Sequence, residues 1–328
     1  MDPGVLAEAV GRGDLDELLR VVEACVAERD WDALTDLRTR CQQAYRETGR
    51  QLWPIAAHAA YRLALEAPAP WAASVLVDDG DRFTLGPLPE VAAQGHAWRE
   101  LAAHLGPGAA AVLTAHERVV RGEDLHDAEV AGPAVLDLPL QLQPWEPRYA
   151  LATYRPETAD FPTPPAPRNA PVELPRAPTV EPPDDAVAAL VDLPRAWTTS
   201  SNGRVDAVVV RGDALSAIAA LRPPAARVAR VDPADALAWM AWIGASGGAH
   251  GRRPGAAAGR FAAWWVAAAV TGMLDEWPPS PSRLGTALAR LSWYLWDAAE
   301  PITGWAVHLA VEDPEQNRAW AMVATDAP

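Results

Sequence analysis

The chain has 328 residues, half of them hydrophobic, and a formal net charge of −15. That length fits two domains or one large one, and the apolar share excludes a disordered chain. All 28 basic side chains are arginine, which excludes lysine Schiff-base chemistry, pyridoxal-phosphate enzymes and Walker-type phosphate loops. The missing lysine fits an Ala/Arg/Pro-rich coding style better than selection against lysine modification.

The charge is uneven. Residues 1–130 hold 22 acids and 12 arginines; residues 187–328 hold 13 and 12. An acidic surface repels phosphate, so neither nucleic acid nor an anionic membrane is expected as a partner. Cys25 and Cys41 fall at apolar helical positions and read as core thiols, not as a disulfide or metal set. The acidic opening, MDPGVLAEAVGRGDLDELL, is unlike a secretory leader. The longest apolar run, 261–274, is shorter than the ~20 residues a bilayer requires. A cytoplasmic location is expected, with no cofactor.

Residues 1–130 read as an all-helical domain of hairpins, either a HEAT- or TPR-like solenoid or an irregular bundle. Asp14 caps the first strong helix, with Glu17 three residues on. Leu15, Leu18, Leu19, Val22, Cys25 and Val26 line its apolar face. Trp31, Leu34, Leu37, Cys41 and Tyr45 line the next, which Gly49 ends. Helices follow at about 50–66, 70–77, 90–104 and 107–121. Short loops make neighbours antiparallel. No fixed-period repeat consensus is visible. The stretch VDDGDRF (77–83) opens like a calcium loop but lacks its closing glutamate, so it reads as a turn.

Residues 131–186 form a connector with fourteen prolines between Pro133 and Pro183. Helices and central strands are excluded over most of it. APTVEPPDDA reads as solvated linker. LQLQPWEPRYALATYRP is too apolar for that and is expected to run extended along a domain surface, adding an edge strand.

Residues 187–328 read as a Trp-rich α+β domain with a small, mainly antiparallel sheet. Asn202-Gly203 marks a turn before a β-branched run. A helix is expected at about 212–221, a strand at RVARVD, and a helix from Asp232-Pro233. Further helices are expected from Pro254 to about Leu274 and over about 281–297. GWAVHLAVED and RAWAMVATD form a terminal hairpin. Glu312 and Asp313 are expected to shape its turn rather than act as an acid–base pair.

One break draws attention: GASGGAHGRRPGAAAGR, residues 244–260. Glycines free the backbone, Pro254 opens a helix, and arginines stand beside the free N–H groups. Ser246, Gly248, His250, Gly251, Arg252, Arg253 and Arg260 are the candidate set for a phosphate or carboxylate ligand. His250 would carry a proton and Ser246 would be the nucleophile candidate. A G-x-S-x-G match occurs at 244–248, yet a helix precedes it where a nucleophile elbow follows a strand. The competing reading is close helix packing by Gly255 and Gly259, with the arginines docking against acids.

Tryptophan is the second oddity: nine of the fifteen lie at or after Trp239. Trp239, Trp242 and Trp264 are candidates for an aromatic-walled pocket taking an apolar, sugar or quaternary-amine ligand. Aromatic stripes at helical spacing are ordinarily core. The histidines form no metal pattern. Two functions are therefore expected. The first is a non-enzymatic interaction protein with a protein partner. The second is a binder of an anionic small molecule, or an enzyme, using residues 244–260.

Overall fold

The computed structural model describes residues 1–76, 84–300 and 304–327, save the Thr48 side chain. VDDGDRF lies outside them. The chain divides into two compact units. One holds Met1–Val135 and Ala152–Asp160; the other holds Leu136–Leu151 and Phe161–Pro328. The Pro-rich region is thus shared between them.

Among the described residues the first unit carries eight helices: α1 (Pro3–Arg12), α2 (Leu15–Ala27), α3 (Trp31–Thr48), α4 (Trp53–Glu66), α5 (Ala69–Ser74), α6 (Leu88–Gly95), α7 (Trp98–Ala102) and α8 (Ala109–Val120). Asp14 caps α2 as expected, its Oδ1 accepting from the N–H groups of Asp16 and Glu17. Helices α2, α4, α6 and α8 pack in succession, while α1 packs on α3 and α5 on α7. These contacts make α2, α4, α6 and α8 one continuous layer of a helical array, as expected. Three details differ. The helix expected over 90–104 breaks at His96, whose backbone is extended. Glu100 Oε2 then accepts from the Ala97 N–H and starts α7. Leu15 and Leu19 are 43% and 39% exposed, because the apolar arc of α2 is wider than the face its neighbours cover. Tyr45 leaves the core face of α3 and is 56% exposed.

A two-stranded hairpin, β1 (Thr153–Tyr154) with β2 (Ala159–Asp160), completes this unit. Gln94 clasps the Tyr154 backbone from both sides, donating to its carbonyl at 3.0 Å and accepting from its N–H at 2.6 Å. The Tyr154 hydroxyl donates to buried Glu90 at 2.7 Å. Its ring lies so close to Gly86 that any Cβ there would overlap it.

The second unit is built on seven antiparallel strands: β3 (Ala170–Val172), β4 (Thr179–Val180), β5 (Arg204–Arg211), β6 (Ala226–Val231), β7 (Ser292–Asp297), β8 (Trp305–Asp313) and β9 (Arg318–Asp326). Their order is β3-β6-β7-β8-β9-β5-β4. The β8–β9 hairpin matches expectation, and its turn uses Asp313 as expected: Oδ1 accepts from the N–H groups of Glu315 and Gln316. The edge strands come from the two proline-rich pieces at 170–172 and 179–180, so APTVEPPDDA is not solvated linker throughout. Prolines tolerate edges because an edge strand needs bonds on one side only. Only six residues separate β3 from β4, although they lie on opposite edges. Seven Cα steps reach at most ~25 Å, whereas a flat seven-stranded sheet is ~29 Å across. The sheet is therefore curled enough to bring its edge strands within that reach.

Among the described residues six α-helices complete the unit: α9 (Asp185–Asp192), α10 (Arg195–Ser200), α11 (Ala214–Ala220), α12 (Pro233–Ala245), α13 (Ala256–Val270) and α14 (Pro281–Leu288). Helix α11 lies on one sheet face, against Val210, Ala226, Trp296, Ala310, Ala319 and Ala321. Glu312 fixes its start by accepting from the Ala214 N–H at 3.2 Å. Helices α9 and α12 lie on the sheet, and α13 packs on both of them. The helix expected over 281–297 is corrected. It ends at Leu288, and residues 292–297 form β7. Trp293 and Trp296 are both buried, yet on opposite faces, since side chains alternate along a strand. A central strand buried on both sides reads like a buried helix by periodicity alone. No helix of the described residues is long and apolar enough to cross a membrane.

Candidate functional site

The glycine break joins α12 to α13, and its members do not converge on one point. Ser246 is 2% exposed. Its hydroxyl accepts from Trp197 Nε1 at 2.7 Å and donates to the Ile243 carbonyl at 3.3 Å. A hydroxyl whose one proton and acceptor side are both committed is a packing element, not an activated nucleophile. Gly248 adopts φ +71, and a Cβ there would overlap Asp326 Oδ2. That oxygen accepts from the Ala249 N–H at 2.6 Å. Gly247 and Gly251 face each other so closely that a Cβ on either would meet the other's carbonyl. His250 is exposed, and its backbone N–H donates to Ser201 Oγ at 3.0 Å. Two of the break's N–H groups, those of Ala249 and His250, are thus engaged by Asp326 and Ser201, side chains of the same unit.

The arginines separate. Arg253 stacks over the Phe161 ring at 5.2 Å, and Arg252 is exposed on the loop. Arg260 is fully buried and cannot join them. Its guanidinium holds Glu146 in two parallel bonds of 2.7 Å and also donates to the carbonyls of Pro139 and Gln141 at 2.9 Å. The expectation that Arg260 belongs to an anion site is therefore corrected, because its charge is already neutralised. Burial pushes the Glu146 carboxyl up, but the Arg260, Tyr149 and Gln143 donors outweigh this and hold it below the ordinary carboxylate value. Gly244 and Gly259 do what close helix packing requires. A Cβ on Gly259 would overlap the Ala241 carbonyl, and one on Gly244 would crowd Ala262.

Trp239 and Trp242 do meet, at 5.6 Å, and Trp242 stacks on Trp305 at 5.0 Å. Trp197 packs edge-on to both Trp242 and Trp305. Trp264 is elsewhere. It packs on Trp145 at 4.8 Å and donates to Glu146 at 3.1 Å. Trp242 and Trp264 are buried, so the three do not wall one pocket. Among the described residues no group of His, Cys, Asp and Glu could hold a metal.

A better candidate lies between α3 and α4. A groove of about 260 Å³ is lined by Cys41, Gln42, Tyr45, Arg46, Trp53, Ala56 and Ala57. Its origin is local. Gly49 ends α3 at φ +72, and Pro54 sits in the first turn of α4. The chain turns sharply, leaving the last turn of α3 beside the first turn of α4. Ala56 and Ala57 are too small to fill the space opposite Cys41. Tyr45 and Trp53 flank it, 56% and 38% exposed. Burial raises the Cys41 thiol to about 12, so it is an inert floor, not a nucleophile. Sequence spacing placed Tyr45 on the core face and gave no sign of the groove. The signal available was the helix end at Gly49, one turn beyond Tyr45.

Fold and groove define an α+β protein with an N-terminal array of helical hairpins and a curled antiparallel sheet. The chain belongs to DUF6183, described as a family of unknown function, whose model matches residues 16–328. No curated protein and no solved structure matches it.

Proposed function

We propose that this protein is a non-enzymatic interaction protein whose docking surface is the α3–α4 groove. The observation that carries this is the pair Tyr45 and Trp53, large rings half out of water beside an apolar recess. Tyrosine and tryptophan are the residues that most often anchor protein interfaces, because one ring buries much area at low entropy cost. The occupant is a protein segment that inserts an apolar side chain between them. The excess of 22 acids over 12 arginines in residues 1–130 favours a partner with basic flanks, which a negative field also steers in. The commitment of Ser246 and Arg260 to internal contacts supports this reading over the anion-binding one. A photo-crosslinking side chain at Gln42 tests it in cells. Capture of a defined protein that disappears with Tyr45→Ser supports the proposal. Capture that is indifferent to Tyr45→Ser overturns it.

A further inference from the structure

The second unit has a cavity unrelated to the glycine break. It measures about 290 Å³ and lies between the end of α9 and the face of α13. Ala189, Asp192 and Leu193 line one side; Phe261, Ala262 and Trp265 line the other. Ala189 and Ala262 are small, which leaves the space open. Phe261 and Trp265 are four apart on α13 and nearly parallel, 15° between planes. Trp277 sets its ring against both, at 5.4 Å and 4.8 Å. The same unit buries Trp197, Trp264 and Trp293 almost completely. These three rings instead remain partly exposed, a braced aromatic wall rather than a core.

The wall meets one charge. Asp192 is the last residue of α9, where the helix dipole is also negative. Its pair with Arg195, through Nε at 2.6 Å and a second nitrogen at 2.5 Å, falls on Oδ1 alone and is solvent-exposed, and such surface pairs are weak enough to leave the carboxylate open to a second cation. Aromatic faces, a carboxylate and a helix C-terminus all favour positive charge, and the apolar lining favours methyl groups over a hydrated ammonium. We infer that this cavity binds an organic cation of the quaternary-ammonium class, its methyl groups on Phe261 and Trp265 and its charge toward Asp192.

The test compares choline with 3,3-dimethylbutan-1-ol, its neutral isostere, by calorimetry on the full chain. Choline is expected to bind at least tenfold tighter than the isostere. Asp192→Asn, at an exposed position, is expected to weaken choline severalfold without changing the isostere or the melting temperature. Trp265→Leu should weaken both. Equal binding of the two compounds would reduce the cavity to an apolar recess and overturn the inference. So would failure of wild type to bind choline, or full retention of choline binding in Asp192→Asn.

Discussion

Glu146 and Arg260 lie 114 residues apart, both side chains fully buried, joined as a bidentate ion pair. Three further donors reach Glu146: the Tyr149 hydroxyl at 2.5 Å, the Gln143 N–H at 2.9 Å and Trp264 Nε1 at 3.1 Å. The pair fastens the segment 136–151 to α13. Removing one partner leaves a buried charge uncompensated. Arg260→Met should therefore cost about 3–5 kcal/mol. Glu146→Gln should cost a similar amount, and the double variant Glu146→Gln/Arg260→Met far less than the sum. Urea denaturation of the three variants reads this directly. Additive losses would show the two residues act independently.

Acid should weaken the fold in two stages. Burial pushes His308 down to about 4 from an ordinary 6.5. Between those values the unfolded chain takes up a proton that the folded chain refuses. Stability attributable to His308 is therefore complete above pH 6.5 and is lost as pH falls toward 4, by up to about 3 kcal/mol. Glu146 acts in a lower window. Its folded value lies below 4.5, so its contribution is complete above pH 4.5 and lost as pH falls through the folded value. His308 packs 4.5 Å from Trp296, so His308→Phe keeps an aromatic contact there. Melting curves from pH 7 to 4 should flatten in that variant while the loss below 4.5 persists. An unchanged slope between 6.5 and 4 would contradict the assignment.

The glycine break should behave as a joint. Gly259→Ala must push α12 and α13 apart and should cost about 1–3 kcal/mol, as overpacking does. Arg252→Ala/Arg253→Ala removes the Arg253–Phe161 cation–π contact and should lower stability by about 0.5–2 kcal/mol. Thermal melting with and without inorganic phosphate checks both. A phosphate-dependent rise in the wild type that vanishes in the double variant would restore the anion site.

Local signals were legible and distant ones were not. Asp14 with Glu17, Asp232 with Pro233 and the alternation of 305–313 and 318–326 each encode their structure within a few residues, and each element forms. The strand 292–297 reads as helix because Trp293 and Trp296 are buried on opposite faces, which erases the alternation that marks a strand. The sequence does not show Arg260 turned inward, because its partner, Glu146, sits in a proline-rich segment with no periodicity to orient it. The α3–α4 groove and the α9–α13 cavity both arise from what small residues leave unfilled, and a sequence does not print empty space. Phe261 and Trp265 did carry a signal in their four-residue spacing, which puts two rings on one helix face.

The most direct measurement is quantitative co-purification by wild type, by Tyr45→Ser/Trp53→Ser and by Val191→Ser, a control at another exposed apolar position. Melting temperatures taken alongside show whether each variant folds. The account predicts one protein recovered in near-stoichiometric amount with wild type and with the control, and lost with the groove variant. The same protein retained by the groove variant, or none recovered with wild type, would contradict it.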